Sequence, residues 1–106
     1  ALACADGTVV TGTNVENRSY GLTICAERSA VCTAVGRGVR DIRAVAVFCG
    51  AVDGPVPPCG ACRQVLTEFC PPATPVIFAG RDRSRAVVTT LGELLPFDSL
   101  HDLGRR

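Results

Sequence analysis

The apolar positions along the chain follow two rhythms, and each predicts its own kind of element. Leu2 to Ala5 and Thr8 to Thr11 are short β-prone runs flanking Asp6-Gly7, a dipeptide favoured in two-residue hairpin turns. Gly12 to Thr23 shows neither period. Asn14, Glu16, Asn17, Arg18 and Ser19 crowd together there, which predicts a loop. From Cys25 to Val35 the rhythm becomes helical: Ala26, Ala30, Val31 and Ala34 recur at the spacing of one helix face. Gly36 and Gly38 supply C-terminal stops. Arg43 to Cys49 is a short, nearly continuous apolar run, the pattern of a strand buried on both faces.

Gly50 to Pro58 holds three prolines and two glycines and predicts a rigid loop. A second helix is expected from Gly60 to Phe69, ended by Pro71-Pro72 because proline lacks the amide a helix needs. Val76 to Ala79 and Arg85 to Thr89 read as strands around the charged turn Gly80 to Ser84. Thr90 with Glu93 three residues on makes a capping box for a last short helix through Leu95. Beyond Pro96, only Phe97, Leu100 and Leu103 could anchor the tail. The order β-β-α-β-α-β-β, with no internal repeat and no linker, predicts one domain over residues 1–106. Strands separated by helices imply right-handed parallel crossovers, and so a layered α/β sandwich with a mixed sheet.

Composition narrows the function classes. Hydrophobic residues make up 47% and charged residues 20%, as in a chain that builds a core. Net charge is +1, which leaves no electrostatic footprint for a nucleic acid. The longest apolar runs, such as Ala44 to Cys49, are far too short to span a bilayer. The absence of lysine excludes phosphate-loop and Schiff-base chemistry. A single histidine, His101, excludes sites built on two or three imidazoles. Seven cysteines cannot all pair within one chain, and most sit in helical or strand-like runs. Reduced thiols in a cytoplasmic protein, some of them holding metal, is the expected state. The chain also lacks methionine, so Ala1 is expected to begin a fragment or a processed form.

Two segments carry the chemistry: Cys25-Ala26-Glu27-Arg28 and Pro58-Cys59-Gly60-Ala61-Cys62. Thiolates are soft ligands that suit zinc, and two cysteines three apart at a helix start can grip one tetrahedral ion. A third cysteine opening another helix would leave the fourth position for water, the mark of a catalytic site. Glu27 stands two residues past the first such ligand, where a carboxylate can exchange protons with that water. Plainer readings exist for each residue. The CxxC could be a redox pair, and Cys4, Cys32, Cys49 or Cys70 could close a structural site, although each reads as a small core hydrophobe. Glu27 could be an ordinary first-turn helix carboxylate, and Asn14 and Asn17 simple turn residues. His101, Arg63 and Glu68 receive no role, and Arg81, Arg83 and Arg85 read as a solvated turn.

Taken together, GTNVENRSYG, CAERSA and PCGACRQVLTEF, with the later LGELLP, closely resemble the small zinc-dependent cytidine deaminases of pyrimidine salvage. The likeness covers Thr11 to Phe69 most densely. It implies a three-layer α/β/α sandwich with a mixed five-stranded sheet. It implies one Zn2+ per chain on Cys25, Cys59 and Cys62, with Glu27 as the catalytic proton shuttle. Arg28 would offset the charge of three thiolates, helped by the two helix N-termini. Asn14 and Glu16 would bind the ribose hydroxyl and the Ala26 backbone the pyrimidine edge. Tyr20 and Phe97 would serve contacts between subunits of a homotetramer, although LLPFDSLHDL is one residue shorter than the usual spacing. The family also carries an N-terminal helix and a PYSxFxVGA-like segment, so roughly 25 residues are expected to be missing here. The alternatives are a deaminase for another aminopyrimidine nucleoside of the blasticidin type, a nucleic-acid editing deaminase, and an inactive zinc-binding module. The asparagine and glutamate of NVEN favour cytidine over the first. The charge and the scarcity of aromatics disfavour the second.

Overall fold

The computed structural model describes residues 1–98; His101, Leu100 and Leu103 lie outside the described residues. The elements are β1 (Leu2–Cys4), β2 (Val9–Val10), α1 (Ala26–Gly36), β3 (Ile42–Phe48), α2 (Gly60–Thr67), β4 (Pro75–Ala79), β5 (Val87–Thr90) and α3 (Leu91–Leu94). Short 3-10 turns occur at Tyr20–Leu22 and Arg83–Arg85. The five strands form one mixed sheet in the order β2-β1-β3-β4-β5. Strands β3 and β4, joined through α2, are the parallel pair, and the other neighbours run antiparallel. The α1 connection instead steps over β1, because β2 and β3 both lie antiparallel to that strand.

The first hairpin turns more widely than expected. Leu2 pairs with Val10 and Ala3 with Val9, and Cys4 N–H bonds Thr8 O at 2.9 Å. The loop is therefore Ala5-Asp6-Gly7, three residues rather than two. Gly7 takes φ +86°, the left-handed conformation that a three-residue hairpin needs and glycine adopts without strain. Near the other end, β5 begins at Val87, since Arg83–Arg85 is drawn into a turn capped by the Asp82 side chain. Thr90 caps α3 as the capping box predicts, accepting from Glu93 N–H at 3.3 Å.

All three helices pack on one side of the mixed sheet, so the described residues form an α/β sandwich of two layers where the resemblance implies three. Ala30, Val31 and Ala34 of α1, Leu66 of α2 and Leu91 of α3 join Leu2, Val10, Ile42, Val45, Val76 and Phe78 in one core. A register shift between β1 and β3 opposite Ala3/Cys4 lets both Ile42 and Val45 face inward. Strand β3 departs from the both-faces-buried reading. Its Phe48 is 60% exposed, and Val9, Ile77 and Val88 are exposed on the same side. The reason is that, among the described residues, no helix covers that face. Cys4 and Cys70 are buried in the core as expected. Cys32 is exposed on α1 rather than packed, since its position turns away from the sheet.

Candidate active site and metal centre

Both chemistry-bearing segments end up at helix N-termini. Cys25 is the N-cap of α1 and Cys59 the N-cap of α2, while Cys62 sits in the first turn of α2. The sheet sets the two helices side by side, so the three sulfur atoms lie within 4.8 Å of one another. Cys25 Sγ is 3.9 Å from Cys59 Sγ, and Cys59 Sγ is 3.4 Å from Cys62 Sγ. Two thiolates each about 2.3 Å from a tetrahedral zinc would stand roughly 3.8 Å apart. The donor set thus fits zinc in both chemistry and spacing. Cys62 is buried, Cys25 half-buried and Cys59 exposed, which leaves the cluster open on one side.

The surroundings favour negative charge at this point. Both helix dipoles direct their positive ends at the cluster. Backbone N–H groups, that of Cys62 foremost, hold the Cys59 thiol below its ordinary pKa. Burial pushes Cys62 the other way, reinforced by Cys59 and by the Glu27 carboxylate. Arg28 donates from Nη2 to Cys25 Sγ at 3.4 Å, and its Nε is buried without a conventional hydrogen-bond partner. A half-buried guanidinium beside converging thiols is what an anionic metal centre calls for.

Glu27 and Ala26 open α1 and line a cavity of about 500 Å3 together with Thr11, Gly12, Val47 and Phe48. Gly12 is what allows the post-β2 loop to lie against α1: a Cβ there would collide with Ala26 O and Ala30 N. Asn14 and Glu16 are joined by a 2.7 Å bond from Asn14 Nδ2 to Glu16 Oε1. The Thr23 hydroxyl donates to the other Glu16 oxygen at 3.4 Å. The Thr23 carbonyl in turn accepts from Arg28 Nη2 at 3.5 Å. Thr23 ends the loop in the sequence pattern and carries no expectation of a role there. Nothing in the loop's composition marks it, since its role arises only when Val15 and Ile24 pair across that loop.

Tyr20 and Phe97 are not brought to the cluster within this chain. Tyr20 is exposed on its 3-10 turn, and Phe97 is fully exposed at the rim of a separate cavity of about 230 Å3 bounded by Cys70 and Leu91. The arginine turn is solvated as expected, with Arg81 paired to Asp53 at 3.0 Å. Arg63, given no role from sequence, reaches two backbone carbonyls, those of Pro58 and Leu94.

Known proteins resemble this chain in sequence and fold. Residues 1–78 match the family described as "Cytidine and deoxycytidylate deaminase zinc-binding region". A cytidine deaminase of Halalkalibacterium halodurans is 50% identical over 96 residues, covering 91% of this chain and 71% of the relative. The crystal structure of a cytidine deaminase from Burkholderia pseudomallei superposes with a TM-score of 0.79 at 42% identity, over 91% of this chain and 76% of that one. A blasticidin-S deaminase of Bacillus cereus is more distant, at 27% identity over 103 residues. The chain accordingly belongs to the zinc-binding cytidine and deoxycytidylate deaminase family.

Proposed function

We propose that the chain catalyses the hydrolytic deamination of cytidine and 2'-deoxycytidine, converting the nucleoside and water to the uracil nucleoside and ammonia. The observation that carries this reading is the cluster of three thiols within 4.8 Å of one another, with Glu27 in the first turn of α1, two residues past Cys25. Cys25, Cys59 and Cys62 would hold zinc, whose chemistry there is to lower the pKa of a water molecule. Glu27 would carry the protons, accepting one from the attacking water, delivering it to the ring nitrogen beside the reacting carbon, and later helping to protonate the leaving ammonia. Asn14 and Glu16 hold the ribose hydroxyl, a pairing that can both donate and accept. The Ala26 backbone meets the pyrimidine edge, and Arg28 draws charge from the thiolates.

The blasticidin-type reading is weaker, supported by the lower identity of that relative and opposed by the Asn14–Glu16 pair. Assembly into a homotetramer belongs to the same proposal, with Tyr20 and Phe97, both exposed here, reaching neighbouring subunits. Among the described residues no helix is long and apolar enough to cross a membrane. The test is direct. Metal analysis of the purified chain should give one zinc, and cytidine should shift its ultraviolet spectrum towards uridine. Glu27→Ala should keep the zinc and lose the reaction. A chain that binds no zinc, or a Glu27→Ala variant of undiminished activity, overturns the assignment.

A further inference from the structure

Arg63 is the residue the catalytic scheme leaves unused and the geometry does not. It directly follows Cys62, and its backbone N–H closes the first turn of α2 on Cys59 O at 3.0 Å. Its side chain then folds back, with Nε donating to Pro58 O at 2.8 Å and Nη1 donating to Leu94 O at 2.9 Å. The guanidinium is half-buried, and Pro58 is among the fully buried residues.

Both carbonyls need such a partner. Pro58 precedes the N-cap of α2, so its carbonyl lies outside the helix ladder, where burial denies it water. Leu94 ends α3, and its carbonyl is one of the orphan acceptors of a helix C-terminus. A cation is favoured there. The two carbonyls come from elements 36 residues apart in sequence (94 less 58), and one planar fork satisfies both.

We infer that Arg63 is a positioning residue for the metal centre. It fixes the Pro58–Cys59 backbone, and with it the sulfur that stands between the other two, while tying that backbone to α3. This rests on the zinc reading above. Cys59 is the most exposed of the three thiols and has contacts of 3.9 and 3.4 Å to Cys25 and Cys62. Its packing cannot hold it, so the peptide before it must. A shift of that peptide alters both sulfur spacings together.

Three forms of the full chain test this: wild type, Arg63→Met and Arg63→Lys. Methionine keeps much of the apolar stem without donors. Lysine keeps the charge but not the fixed fork that spans both carbonyls. Each is loaded with zinc and challenged with a chromogenic chelator. Each is also loaded with cobalt, whose ligand-field absorption reports the geometry of the thiolates. Arg63→Met should bind zinc about 10–100-fold more weakly, the usual loss when a group supporting a metal ligand is removed. Its cobalt spectrum should shift, and Arg63→Lys should recover part of both. Wild-type zinc affinity and cobalt spectrum in Arg63→Met overturn the inference, even if its thermal stability falls. If Arg63→Met does not fold, Arg63→Lys is judged on the same two readouts. Failure of the wild-type chain to take up zinc would instead overturn the metal centre itself.

Discussion

The Arg28 guanidinium lies 3.4 Å from Cys25 Sγ and 3.5 Å from the carbonyl of Thr23, two residues earlier. One side chain thereby links the first turn of α1 to the loop that carries Asn14 and Glu16. Hydrogen bonds to Cys25 and then to Cys62 raise the arginine's own pKa further above its ordinary value, so it stays cationic at any relevant pH. Three thiolates around a dication carry a net negative charge, which would blunt the metal's acidity. Arg28 is placed to offset it.

Arg28→Ala should therefore lower kcat for cytidine by about 10–100-fold, the range seen when partners of metal ligands are removed. The thermal midpoint should move much less. Steady-state kinetics beside thermal melts decide the matter: an unchanged kcat removes the charge-offset role.

Asn14→Ala should act on substrate affinity. The substitution strips Glu16 of its 2.7 Å partner while leaving the thiol cluster untouched. A hydrogen bond to a charged group contributes about 1.5–3 kcal/mol. The KM for cytidine should accordingly rise roughly tenfold or more with kcat and zinc content preserved, the pattern of lost uniform binding. A fall in kcat at constant KM would place Asn14 in the chemistry instead.

Gly12 is held by space rather than by backbone angle. A Cβ on it would meet Ala30 Cα at 2.9 Å and press still harder on Ala26 O and Ala30 N, all backbone atoms. Gly12→Ala should cost about 1–3 kcal/mol, as overpacking does. That corresponds to a drop of several degrees in melting temperature for a domain of this size. Gly36→Ala on α1, where an added Cβ meets nothing within 4 Å, is the control and should be neutral or mildly stabilising. Equal melting temperatures for the two variants would contradict the packing.

Alkaline pH should expose Cys70. Burial, with a smaller contribution from Cys4, raises its pKa from 9.0 to about 12. Below pH 9 the thiol is neutral in folded and unfolded chains alike, so this contribution is fully present. As pH rises from 9 towards about 12, the unfolded chain releases a proton that the folded one retains, and stability falls. Cys70→Ala should be less stable at neutral pH because it leaves a cavity. Its denaturation midpoint should nonetheless decline less steeply across the alkaline range. Parallel declines in the two proteins would show that Cys70 does not drive the loss.

Much of the site was legible because its chemistry is local. Cys25 and Glu27 belong to one helix start, Cys59 and Cys62 to another, and the motif spacing places each ligand at an N-cap or in the first turn whatever the rest of the fold does. The Thr90–Glu93 capping box was readable for the same reason: donor and acceptor are three residues apart. Composition marks the Asp6-Gly7 turn but not its length, because pairing of Leu2 with Val10 decides how many residues the loop holds.

Properties that depend on residues far apart in the chain were decided by tertiary structure. That Cys25 and Cys59, 34 positions apart, end 3.9 Å from each other follows from α1 and α2 packing on one face of the sheet. Which face of β3 is covered follows from the same packing, since an apolar run reads alike whether one side or both are buried. The bonds of Arg63 to Pro58 and Leu94 could not be anticipated from a side chain that elsewhere stands in solvent. Residue types and short spacings state which atoms can bind or react. Only the folded sheet brings those atoms within reach of one another, because contacts between distant segments are made by packing and not by neighbours in the chain.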